Sequence, residues 1–88
     1  MPELKKGMLA VSKAGHDEGR LYVIIGVDDS YVYLADGRLR PLDKLKKKKK
    51  KHVQLIRDWF ETDGADDAMI RRELKGLARE NVTTLQQQ

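Results

Sequence analysis

Apolar and polar positions along this chain follow two periods, one for each part. In "GMLAVSK" (residues 7–13) a brief apolar stretch runs into a loop with two glycines. "LYVIIGVD" (21–28) is dense in Val, Ile and Tyr, which suit a pleated surface, and after a "DDS" turn "YVYLA" (31–35) continues at strand period. Asp36-Gly37 is the dipeptide that best accepts positive φ at both centres of a tight hairpin turn. "RLRPL" (38–42) is expected to return from that turn as a strand, with Leu39 on one face and Arg38 and Arg40 on the other. Pro41 cannot donate to a ladder and places that strand at an edge. "HVQLI" (52–56) supplies the last strand. Short, evenly spaced strands with tight turns, in too little chain for two sheets, predict a small, strongly bent antiparallel barrel of about five strands.

From "ETDGADDAMIRRELKGLAREN" (61–81) the period becomes helical: Ile70, Leu74, Leu77 and Ala78 share one side. Asp66 and Asp67 suit the positive N-terminal end, and Asp63 or Asp66 can cap it. Trp59 and Phe60 read as the apolar hinge that packs the helix back on the sheet, in preference to a stacking platform for a base. "TTLQQQ" (83–88) reads as a frayed end. The expected organisation is a barrel over 1–58, a helical segment over 59–82 and a tail over 83–88, in a mainly β fold.

Size narrows the function. A chain of 88 residues holds one domain, with a core too small for a deep catalytic pocket, so a module that presents a surface is expected. Without cysteine there is no disulfide framework and no thiolate metal site. The apolar run in "MPELKKGMLAV" is too short for a signal-peptide core or a bilayer span, so the expectation is a cytoplasmic protein with no membrane partner.

Charge changes the picture most. The formal net charge is +4, but residues 1–52 hold thirteen Lys and Arg against seven Asp and Glu, whereas residues 53–88 hold five against seven. A basic half in a small domain marks a polyanion partner. Gly15 and Gly19 lie in a loop that needs positive φ or close backbone approach. Exposed N–H groups of such a loop can bind phosphate oxygens, with Lys13, His16 and Arg20 adding charge. Six consecutive lysines, Lys46 to Lys51, cannot all lie on one strand face, so part of the run is expected as a solvated loop or a bulged edge. On the helix, Arg71, Lys75 and Arg79 form a like-charge stripe, read chiefly as a solvated face. Catalysis finds little support: His16, Asp17 and Glu18 are adjacent and do not point at one centre, and His52 stands alone beside the lysines.

The stretch from Gly7 to Leu42 resembles the KOW motif: an apolar strand, a basic loop with a motif glycine matched by Gly19, and a β-branched second strand. It is similar to the ribosomal large-subunit family called fourteen-e, and more so to short KOW-domain RNA-binding proteins of some bacteria. The matching positions are Gly7, Ser12, Lys13, Ala14, Gly15 and Gly19 at the opening, Asp36, Gly37 and Arg40 at the hairpin, and Lys46 to Lys51 before the last strand. Trp59 and the single helix depart from the archaeal and eukaryotic proteins. The resemblance implies an SH3-like barrel and structured RNA, ribosomal RNA foremost, as partner.

Together these point to a non-enzymatic RNA-binding module with no cofactor and no small-molecule substrate. The candidate RNA-contact residues are Lys13, Gly15, His16, Gly19, Arg20, Arg38, Arg40, Lys44, Lys46, Lys47, Lys48, Lys49, Lys50, Lys51 and His52. Lysines would bring affinity as point charges, and arginines the more specific contacts. The rival reading is a protein docking module of the translation or transcription machinery, with ribosomal or polymerase-associated proteins held by Tyr31, Tyr33, Trp59 and Phe60.

Overall fold

The apolar stretches of the first half do become strands. A computed structural model of the chain describes residues 3–57 and 60–86, so Trp59 lies outside the described residues. Five strands, β1 (Leu9–Ser12), β2 (Leu21–Val27), β3 (Tyr31–Ala35), β4 (Lys46–Lys49) and β5 (Val53–Arg57), precede one helix, α1 (Asp67–Gln86). A single 3-10 turn, Lys50–His52, joins β4 to β5. The strands form one antiparallel sheet in the order β4-β3-β2-β1-β5.

The two faces of the sheet bury separate clusters. Ala10, Tyr22, Ile24, Val32, Leu34 and Val53 pack together on one face, joined by Leu4 and Met8. On the other, Leu9, Val23 and Ala35 meet Ile70, Leu74 and Leu77 of α1, with Phe60 against them. Burial on both sides explains why β2 reads as a continuous apolar run and not as an alternation. Register shifts between Ile24 and Gly26, and between Leu9 and Ala10, bend the sheet. Closure into the expected barrel does not follow: β4 and β5 stand at opposite ends of the strand order, and no ladder joins them among the described residues.

Two expected elements are corrected. "RLRPL" is not a strand, and Asp36-Gly37 is not a two-residue hairpin turn. Gly37 has φ +78° but Asp36 stays at negative φ, and the Asp36 carboxylate accepts the backbone N–H groups of Arg38 and Arg40, each at 2.8 Å. That local capture competes with a ladder for the same donors. The fourth strand is instead the lysine run, paired with β3 as Tyr31 to Lys49, Val32 to Lys48, Tyr33 to Lys47 and Leu34 to Lys46. A lysine-bearing edge is a strong barrier to further strand addition.

Asp66, not Asp63, caps α1: its Oδ1 accepts the Met69 N–H at 2.9 Å. The helix runs to Gln86, so residues 83–86 are helical where a frayed tail is expected. Its N-terminal end is tied to the loop after β3, where the Leu42 N–H donates to Asp67 Oδ1 at 2.9 Å and an Arg71 guanidinium N–H to the Gly37 carbonyl at 2.5 Å. Among the described residues no helix is long and apolar enough to cross a membrane.

Candidate nucleic-acid interface

The loop between β1 and β2 takes its shape from Gly15 and Gly19, at φ +86° and +88°. Its amides largely close the loop on itself. Glu18 N–H donates to the Gly15 carbonyl, Gly19 N–H to that of Ser12, Arg20 N–H to that of Asp17, and Lys13 N–H to that of His52. The phosphate cradle expected from loop N–H groups is therefore not available from these four.

What the loop encloses is a carboxylate. Asp17 is only 9% exposed and accepts the Ser12 hydroxyl at 3.0 Å, the Tyr22 hydroxyl at 2.8 Å and the Lys48 ammonium at 2.9 Å. Burial pushes the Asp17 pKa up, but the hydrogen bonds from Lys48, Tyr22 and Ser12 outweigh it and hold the carboxyl at about 2. Burial, reinforced by the bond to Asp17, moves the Tyr22 phenol well above its ordinary range.

Strand alternation divides the lysine run. Lys46 and Lys48 pair with Leu34 and Val32 and share their face, whereas Lys47 and Lys49 pair with Tyr33 and Tyr31 on the other. Lys48, expected among the solvent-facing cations, is 10% exposed at its side chain and committed to Asp17 and the Ala14 carbonyl. Lys47 lies over the Tyr31 ring, 4.3 Å from its centroid. Beside it the Tyr33 hydroxyl donates to Asp28 at 2.7 Å, a bond that draws Asp28 below the usual carboxylate range and Tyr33 above its own.

The remaining candidates gather in three hollows. A cleft of about 340 Å³ brings His16, Arg20, Arg40 and Lys46 together around Asp17, Tyr22 and the exposed Leu39. A groove of about 760 Å³ sets Arg20 and Arg38 opposite Arg71, Arg72 and Lys75 of α1. The third, of about 660 Å³, is lined by Lys13, Lys50 and Lys51 together with Glu3. Lys44 is exposed in the turn before β4, and His52 is half-buried at the end of the 3-10 turn after it. Arg20 belongs to both of the first two hollows and so sets them side by side, with Asp17 in one lining and Asp36 in the other.

Two parts of this arrangement are absent from the sequence reading: the internal ion pair of Lys48 with Asp17, and Arg72. An acidic residue set between two glycines in a basic loop was the available signal for the first. Among the described residues no group of three or more His, Asp or Glu side chains is placed to hold a metal. Compared with protein-family models and with curated proteins, the chain matches none.

Proposed function

We propose that the protein is a non-enzymatic, cytoplasmic RNA-binding module that takes structured RNA, ribosomal RNA foremost, across the cationic surface centred on Arg20. The carrying observation is that His16 and Arg20 from one loop, Arg40 from a second and Lys46 from β4 line a single cleft. Arg20, Arg40 and Lys46, drawn together from three segments, face one carboxylate, Asp17, that Lys48 already answers, and a polyanion is the partner that turns their mutual repulsion into affinity. The KOW-like pattern from Gly7 to Arg40 supports RNA as that polyanion, and guanidinium groups suit its phosphates through their fork of donors.

The test is the salt dependence of binding to ribosomal RNA fragments. Replacing Arg20, Arg40 or Lys46 by alanine is expected to weaken binding and to make the salt slope shallower by about one per lost phosphate contact. Unchanged affinity and slope in all three variants would remove the proposal. A docking module remains the second reading, because Tyr31 and Tyr33 stand half-buried on one face of β3. Protein partners that stay bound after ribonuclease and in high salt would favour it.

A further inference from the structure

Resting on that reading, we infer that α1 forms one wall of the RNA interface and that the groove it makes takes the backbone of a base-paired RNA segment. Arg20, Arg38, Arg72 and Lys75 line this groove, and none of them has a carboxylate within ion-pair distance among the described residues. The one acidic side chain of the lining, Asp36, spends its Oδ1 on two backbone N–H groups. Two members of the helix's basic stripe, Arg71 and Lys75, together with Arg72, therefore line the same groove as Arg20 and Arg38.

The walls are held before any ligand arrives. Arg71 reaches across to the Gly37 carbonyl and Asp67 to the Leu42 N–H. Arg71 is in this way a positioning residue, and Arg72 and Lys75 are left for the ligand. A surface fixed in advance loses little freedom on binding.

Chemistry of the lining separates paired from unpaired RNA. Binding of single strands relies on aromatic rings that stack splayed bases. The groove contains no aromatic residue, and the neighbouring cleft holds the exposed His16 imidazole and Tyr22, which is 2% exposed with its hydroxyl bound to Asp17. Tyr31 and Tyr33 are in neither lining. A groove of guanidinium and ammonium groups without a ring of its own addresses phosphates and ribose, the parts that a duplex presents.

The experiment measures binding of the full chain to an RNA duplex of about 16 base pairs, a length that spans successive grooves, and to an unstructured single strand of equal length. The variant pair is Arg72→Glu with Lys75→Glu, both exposed positions, checked for helix content by circular dichroism. Arg72→Gln with Lys75→Gln serves if the charge reversal disturbs folding. We expect the duplex to bind more tightly than the single strand, and the double variant to lose roughly tenfold or more of duplex affinity with a salt slope shallower by about two. Duplex binding that ignores the helix variants but falls with Arg40→Ala and Lys46→Ala overturns the helix assignment and leaves the proposed function standing. A single strand bound as tightly as the duplex overturns the paired-backbone assignment, and duplex DNA competing equally overturns the choice of RNA. Binding insensitive to every variant removes both this inference and the function beneath it.

Discussion

Replacing Asp17 by asparagine keeps the shape of the loop and deletes the charge that Lys48 answers. The carboxyl sits at about 2 against an ordinary value of 3.8, a gap equivalent to about 2.5 kcal/mol in favour of the folded, ionised form. Because the folded value lies below the unfolded one, this contribution is complete above about pH 4 and is lost as the pH falls through 2. The substitution also leaves the Lys48 ammonium, 10% exposed, without its counter-charge, which brings the expected loss at pH 7 to about 3 kcal/mol. For a domain of this size that is a fall in Tm of roughly 10–20 °C. The assay is urea unfolding of Asp17→Asn and of the unsubstituted protein at pH 7 and near pH 2.5. The deficit should be largest at pH 7 and much smaller at the acid end, where the natural carboxyl approaches half protonation. A deficit below about 1 kcal/mol at pH 7, or one of equal size at both pH values, would refute the reasoning that the ion pair organises this loop.

Gly37→Ala should be among the most damaging small changes in the chain. The position has φ +78°, and an added Cβ would press into the Asp67 carbonyl at the start of α1 and lie 2.9 Å from Arg71 Cγ. A loss of about 2 kcal/mol or more is expected, read as a lower Tm with reduced helical circular dichroism. Within the lysine run the effects should alternate. Lys48→Met destabilises the fold by about 2–3 kcal/mol and leaves the salt slope of RNA binding unchanged, whereas Lys46→Met affects binding and costs little stability, as paired unfolding and binding titrations would report.

Four of the five strands were legible as short apolar, β-branched stretches, such as those that carry Tyr22, Ile24, Val32 and Leu34, and the helix was legible from Ile70, Leu74 and Leu77 at helical period. The fourth strand was not legible in this way. A stretch of identical lysines has no alternation to read, and its pairing with β3 is set by the backbone and by what Lys48 meets on the inner side. "RLRPL" failed for the opposite reason. It carries a strand pattern, but the Asp36 carboxylate takes the donors a ladder would need, and Gly37 gives that bend over to helix docking. Of the candidate site, the convergence of His16, Arg20, Arg40 and Lys46 was present as a set of residues, though not as a place. The contribution of Arg72 depends on how α1 docks, a tertiary fact that no local spacing encodes.

The lysine run shows why charge counted along a sequence misleads when it is read as a surface. Four of its six members form a strand, and a strand directs neighbours to opposite sides. One ammonium therefore neutralises a carboxylate nearly sealed from water, another lines the cleft with Arg20 and Arg40, and a third lies over a tyrosine ring. Identical residues thus perform distinct tasks: parity separates Lys47 from Lys46 and Lys48, and place along the strand separates those two. The uniformity of the run leaves it open to slippage: a shift of one residue would place Lys47 or Lys49 against Asp17 and would still satisfy the charge. Registers that a uniform sequence leaves degenerate must be chosen by the neighbours. Here that choice falls to the 3-10 turn, where Lys50 N–H donates to the Ser30 carbonyl and the His52 carbonyl accepts Lys13 N–H, so the C-terminal end of the run is pinned to two loops at once.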